Sequence, residues 1–357
     1  MKNHINKIVI AVFLSLITTS ACTQSTRNQK PVTKQLKPSK QFRIAFYNVE
    51  NLFDTIDDPR IDDKDFLPDA RIPWTTERYE VKLNHISRVI AAISQPKAVA
   101  VMGLCEVENQ MVLEDLVKSP VLIPYGYQVI HRESPDERGI DNAMLYDPKQ
   151  FKPISIKSIP VVFSFQPDDR TRDILYVKGI STKAKRDTLH IFINHWPSRS
   201  GGREISEPKR IHAAETLKIA TDSLFAHNPQ ALIVIIGDLN DEPFDKSLQE
   251  GLKALPVDIK QEDEALYNLM YLPYENGEGT LFYKDWDLFD QVIISGYFWN
   301  KKKGLSFSGE EGTIFKADWL LFTNDKGVSR PNRTASKDYY GGYSDHLPVY
   351  VDLHLKK

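Results

Sequence analysis

Apolar runs of strand length recur from Phe42 to Leu355, and segments of helical periodicity separate them. Such interleaving restricts the chain to a sheet-and-helix architecture, because each apolar sheet face must be covered by another layer. The strands read as "FRIAFYNV", "AVAVMGL", "NAMLY", "TLHIFINH", "ALIVIIG", "FDQVIIS" and "LPVYVDLHL". The last alternates apolar and polar residues, which predicts one wet face. Tyr79, Leu83, Ile86, Ile90 and Ile93 fall at helical spacing. "EPKRIHAAETLKIATDSLF" reads as another helix, with Ser206 as N-cap and Pro208 in its first turn. No Gly/Pro-rich break interrupts residues 42–357, so one domain with α and β layers is expected there. Residues 256–287 and 296–343 have weak periodicity and are expected to hold long surface loops.

The N-terminus stands apart from this pattern. Lys2 and Lys7 precede "IVIAVFLSLI", a run of signal-peptide length that falls short of the roughly 20 residues needed to span a bilayer. "TTSAC" follows and resembles a bacterial lipobox, which would make Cys22 the lipidated first residue of the mature protein. Thr19 stands where such boxes more often carry Leu, so plain secretion is the alternative. The expected organisation is a leader over 1–21, a flexible tether over 22–41 and the folded domain over 42–357. The expected location is therefore the outer membrane, the periplasm or the cell surface, with Cys22 as the membrane anchor. The tether has almost no large apolar side chains and cannot offset the entropy of ordering. Acylation of Cys22 would leave no intramolecular disulfide, and Cys105, in "AVAVMGLCE", reads as a small buried hydrophobe.

Polar residues close or open most of the apolar runs. Asn48 ends "RIAFYN", Glu106 ends "VMGLC", His195 ends "LHIFIN", and Asp238 and Asn240 end "ALIVIIG". Asp290 opens "QVIIS", and Asp345 and His346 open "LPVYV". Any one of these reads most simply as a turn or cap. Together they suggest oxygen ligands gathered about a hard divalent ion such as Mg²⁺, with two His able to move protons near neutral pH. The formal net charge of −2 gives no basic surface for bulk attraction to nucleic acid, so any polyanion contact must be local.

The motifs "FYNVENLF" (46–53), "GLCEVEN" (103–109), "RGIDNAMLY" (138–146), "NHWPSR" (194–199), "GDLND" (237–241), "DLFDQVIIS" (287–295) and "YSDHLPV" (343–349) occur in one order. That ordered set resembles the endonuclease/exonuclease/phosphatase superfamily with the deoxyribonuclease I fold. The resemblance implies an α/β four-layer sandwich, two packed β-sheets flanked by helices, with the site at one end. It implies Glu106 as principal Mg²⁺ carboxylate (Mn²⁺ as a substitute), Asn48 beside it, and Asp345 as a further metal-side or water-side carboxylate. Asp238 and Asn240 would orient the attacking water and grip the phosphate. His346 would be held in its tautomer by Asp290, and His195 would face the phosphate from the other side. Asp141 is the residue expected to orient His195.

Other clusters carry two readings. Arg199 and Arg138 are expected either as fork-shaped phosphate donors or as parts of solvated loops. "DTIDDPRIDDKD" (54–65) lacks the glycine and closing Glu of an EF-hand loop and reads as a solvated charge block rather than a structural Ca²⁺ site. Trp196 and Tyr343 are the aromatics nearest the motifs and the candidates for base stacking. The favoured function is a Mg²⁺-dependent phosphodiesterase on DNA or RNA. The rivals are a phosphatase or phosphodiesterase on lipid head groups or sugar phosphates, and a non-catalytic envelope binding lipoprotein. No protein partner is implied, and a monomer is expected.

Overall fold

"FRIAFYNV" lies inside the strand β1 (Gln41–Leu52), which is central to the first of two sheets. The computed structural model describes residues 41–184 and 187–357. The leader and Cys22 lie outside the described residues, whereas Gln41, expected in the tether, is already in β1 and opposite His354. β1 runs parallel to β2 (Val101–Val107) and antiparallel to the C-terminal strand Val349–Lys356. β2 continues the sheet through β4 (Asp141–Tyr146) to the edge strand β3 (Gln128–His131). The second sheet runs β5 (Phe151–Ile159), β6 (Ile174–Ser181), β7 (Thr188–His195) and β8 (Leu232–Asp238), then Asp290–Ser295, Leu266–Asn268 and Ala254–Leu255.

Residue alternation gives the sheets two kinds of face. Phe46, Cys105 and Met144 from the first sheet meet Ile193, Ile236 and Val292 from the second in one buried cluster. Gly103 shows how close the layers are, because a Cβ there would stand 2.8 Å from Ile236. On the outer face of the first sheet, Tyr47 and Leu104 pack with Ile86 and Ile90 of helix α1 (Thr76–Ile93) and Leu113 of α2 (Gln110–Val117). On the outer face of the second, Phe192 and Ile235 meet Ala214 and Leu217 of α3 (Arg203–His227). Each fully buried Leu, Ile or Phe contributes about 1.5–3 kcal/mol. The result is the expected helix–sheet–sheet–helix sandwich.

Two local expectations fail. Ser206 is not the N-cap of α3; the helix begins at Arg203, and the Ser206 hydroxyl donates back to the Gly202 carbonyl at 2.8 Å. Pro208 accordingly lies inside the helix. Nor is the stretch 256–287 only surface loop. Tyr267, Leu269 and Met270 are fully buried, because Leu266–Asn268 pairs with Asp290–Ser295. The C-terminal strand does have the expected half-wet pattern.

Candidate active site

Register places the functional residues in rows. His195 ends β7 opposite Asp238 at the end of β8, and Asp238 is in turn opposite Asp290 at the start of its strand. Gly237 permits this, since a Cβ there would lie 2.3 Å from the Asn194 carbonyl oxygen. From the first sheet, Asn48 lies opposite Cys105, and Glu106 follows in a left-handed conformation (φ 61°) that breaks the ladder. Glu50, Asn51 and Asn240 are left-handed as well. Such backbone is costly for residues other than glycine and persists where its surroundings enforce it.

Asn48 joins the two sheets at this end. Its amide nitrogen donates to Glu106 Oε1 at 3.1 Å and to Asp238 Oδ2 at 3.0 Å, while its oxygen accepts from the Glu50 N–H at 2.9 Å. The other Glu106 oxygen accepts from the Asn51 N–H at 2.9 Å. His346 Nε2 is 3.6 Å from Asp238 Oδ2 on one side, and His195 Nε2 is 3.8 Å from the same oxygen on another. His346 Nδ1 donates to Asp290 Oδ2 at 2.7 Å, in a pair shielded from water.

These surroundings set the charges. Burial works against protonated His346, but the Asp290 and Asp238 carboxylates outweigh it and hold its pKa well above the usual imidazole value. Burial, then the Arg172 and Arg138 charges, keeps His195 well below that value and therefore neutral. Burial pushes Asp238 up to about 6, against the pull of His346. The site thus holds a cationic imidazole, a neutral imidazole and a carboxylate poised near neutrality around one oxygen.

Among the described residues no Lys or Arg pairs with Glu106 or Asp238. Two carboxylates bridged by one amide, with imidazoles as their basic neighbours, form a donor set that suits a hard divalent cation. Glu106 and Asp238 are the residues that would hold it.

The sequence profile described as "Endonuclease/Exonuclease/phosphatase family" matches residues 43–356, nearly all of the described chain. The chain belongs to that family. Its members are phosphoesterase hydrolases, and this chain is one by descent. No curated protein matches the sequence. Among solved structures, an endonuclease/exonuclease/phosphatase family protein from Bacteroides thetaiotaomicron aligns at a TM-score of 0.52 and 14% identity, covering 88% of this chain and 98% of that one. The human Nocturnin catalytic domain aligns at 0.53 and 14%, covering 90% and 97%. A Bacteroides thetaiotaomicron mannosyl-6-phosphatase aligns at 0.50 and 15%, covering 87% and 99%. At these identities the likeness establishes the fold.

Within the family site, several expected residues have other employment. Asn48 stands beside Glu106 as expected; its amide nitrogen joins Glu106 to Asp238, and its oxygen accepts from the Glu50 N–H. Asp345 is held by Arg333 at 3.0 Å and carries a partner already. Asp141 does not orient His195. It accepts from His131 Nε2 at 2.9 Å and from the Ser134 N–H at 2.8 Å. With exposed Glu133 these form the one trio of candidate ligand groups, among the described residues, within 4.8 Å of one another. Arg199 is not free for phosphate: its Nε donates to the Asn240 carbonyl at 2.9 Å, and its terminal nitrogen pairs with Asp245 at 2.7 Å and Asp241 at 3.2 Å. It braces the "GDLND" loop. Arg138 remains largely exposed beside Asp136. The Asn240 amide donates to the Trp196 carbonyl at 3.0 Å. Trp196 and Tyr343 are buried and line no stacking groove.

Sequence reasoning missed four residues. Arg172 is buried and donates to the backbone carbonyls of His195 (3.2 Å) and Trp196 (2.7 Å), while pairing with Asp136 at 2.9 Å. Glu50 and Arg333 pair at 3.1 Å behind Asp345. Lys82 lies buried beneath them and donates to the Tyr343 carbonyl at 2.9 Å. Lys82 did leave a signal, since it falls three residues after Tyr79 on the apolar stripe of α1. Glu50 lies in "FYNVENLF", two residues after Asn48, whereas Arg172 and Arg333 left none.

Proposed function

We propose that this protein is a Mg²⁺-dependent phosphodiesterase acting on nucleic acid outside the cytoplasm, carried on the membrane by a lipid at Cys22. The observation that carries the catalytic part is the Asp290–His346–Asp238 chain, with neutral His195 on the same Asp238 oxygen. Cationic His346 binds a non-bridging phosphate oxygen through Nε2–H and neutralises charge that develops during attack. Asp238, with a pKa near neutrality, accepts the proton of the attacking water. Water adds to phosphorus, the bond to the leaving oxygen breaks, that oxygen takes a proton from solvent while Asp238 later returns its own, and the products are a phosphomonoester and an alcohol. Neutral His195 faces the reacting group from the other side and is fixed there by Arg172 through the backbone. A bound Mg²⁺ would supply Lewis-acid charge neutralisation at the phosphate.

A second reading has its own support. Burial of Trp196 and Tyr343, together with the net charge of −2, favours a small phosphate ester, such as a sugar phosphate or lipid head group, over a long polyanion. The deciding experiment incubates the protein and His346→Ala with supercoiled plasmid in Mg²⁺ or in chelator. Nicking that needs both Mg²⁺ and His346 supports the nuclease. Turnover of phosphomonoesters without nicking supports the second reading. Activity that survives in chelator overturns both.

A further inference from the structure

Asp141, which does not orient His195, serves another imidazole. His131 closes β3, Asp141 opens β4, and the two strands pair antiparallel with His131 opposite Ala143. The side chains of His131 and Asp141 are only 4% and 1% exposed. Both Asp141 oxygens are occupied, Oδ2 by His131 Nε2 at 2.9 Å and Oδ1 by the Ser134 N–H at 2.8 Å. A carboxylate only accepts, so the ring proton belongs on Nε2, and the neutral ring offers a lone pair at Nδ1. Among the described residues that nitrogen has no hydrogen-bond donor, and it stands 3.7 Å from Glu133 Oε1. Two acceptors therefore face each other beside a buried carboxylate. Lone pairs so placed repel unless a proton or a cation lies between them.

We propose that His131 Nδ1 and Glu133 bind Zn²⁺, with Asp141 holding the imidazole and water completing the coordination. The site is separate from the catalytic centre and independent of the phosphodiesterase reading. The gap has the size such an ion requires. Tetrahedral Zn²⁺ takes nitrogen and carboxylate oxygen at about 2.0–2.2 Å, which sets neighbouring ligand atoms about 3.4 Å apart. An imidazole whose other nitrogen donates to a buried carboxylate has the usual form of a zinc-bound histidine. Imidazole also argues against Mg²⁺ and Ca²⁺, which prefer oxygen throughout. Glu133 borders a cavity of about 530 Å³ whose lining includes six acidic side chains, Asp62 and Glu137 among them, against Arg60 and Arg170. That charge draws a cation, and the space admits its waters. Of the acidic stretch 54–65, Asp54 and Asp63 turn inward, while Asp58 and Asp62 border this cavity. The site has a route to the reaction centre. Glu133 and Asp136 share the connection between β3 and β4, and Asp136 pairs with the Arg172 that donates to the His195 carbonyl. Bound Zn²⁺ would fix that connection.

The test titrates Zn²⁺ calorimetrically into the metal-free full chain carrying Glu106→Gln, in excess Mg²⁺, so that the catalytic carboxylates do not compete. The His131 ring is followed by NMR in the same titration. One equivalent is expected to bind and to shift the His131 ring signals. Asp141→Asn should weaken binding by about 10–100-fold, and Glu133→Gln, which removes a ligand, by about as much or more. Glu133 is 68% exposed, so its replacement leaves the fold intact. Should Asp141→Asn fail to fold, Glu133→Gln alone decides. No saturable Zn²⁺ binding overturns the proposal, as does undiminished affinity in Glu133→Gln. So does a His131 ring that is doubly protonated and unmoved by Zn²⁺, since a proton then fills the gap.

Discussion

Asp290→Asn removes one charge and almost no volume from the centre of the site. Asp290 Oδ2 lies 2.7 Å from His346 Nδ1, and both side chains are shielded from water. With charge centres about 4 Å apart and an effective dielectric of about 20, the pair is worth about 4 kcal/mol. Asp238 still faces the other imidazole nitrogen at 3.6 Å and retains part of the stabilisation. The His346 pKa is therefore expected to fall, though not all the way to that of an unpaired buried imidazole. The variant imidazole becomes neutral at a pH where the wild-type one is charged, accepts from the new amide at Nδ1, and no longer neutralises a phosphate. A loss of about 10²–10⁴ in kcat/KM near neutral pH follows, with an acidic shift of the optimum. The assay is the kcat/KM–pH profile on bis(p-nitrophenyl) phosphate, with the His346 ring titrated by NMR in both proteins. If His346 titrates as in wild type, or kcat/KM stays within about threefold, the electrostatic role assigned to Asp290 is wrong.

Glu106→Ala is expected to abolish activity together with its dependence on divalent metal, and robust turnover of this variant in chelator would refute the role. Arg172→Met leaves Asp136 buried without its cation and frees the His195 carbonyl; urea titration should show a loss of about 3–5 kcal/mol, and kcat should fall more than KM rises. His190 makes stability sensitive to acid. Burial, then Lys178, lowers its pKa to about 4 in the folded chain, against about 6.5 unfolded, so the unfolded state binds the extra proton between those values. This stability is complete above pH 6.5 or so and is lost toward pH 4 at up to about 1.4 kcal/mol per unit; His190→Gln should flatten the slope measured by urea unfolding.

What was legible in the sequence was what local pattern encodes. Asp238 was found because six apolar or β-branched residues lead to Gly237 and then to an acid, and such a run has no other use than a buried strand. His195 and Glu106 were found in the same way. Asp141 was misjudged because pairing between β2 and β4 shifts between Cys105 and Val107, where Glu106 turns left-handed. That irregularity sets Asp141 opposite Val107 and leaves it bonded to His131, a contact no spacing rule anticipates. Arg199 lay near His195 in sequence, yet the buried carboxylates of Asp241 and Asp245 compete for it more strongly than solvent does. Glu50 and Arg333 meet across 283 residues, and a pairing over that distance leaves no local pattern. The same distance effect hid the burial of Asp63, since a charged stretch reads as solvated until its fold turns it inward.

Ser344 donates to the Asn48 carbonyl at 2.7 Å, across 296 residues, and the C-terminal strand that follows it is the antiparallel partner of β1. The chain therefore closes on itself at the reaction centre. Removal of residues 344–356 takes away His346 and leaves one edge of β1 unpaired. One segment thus carries both the imidazole proposed to bind the phosphate and the strand that covers the outer edge of β1.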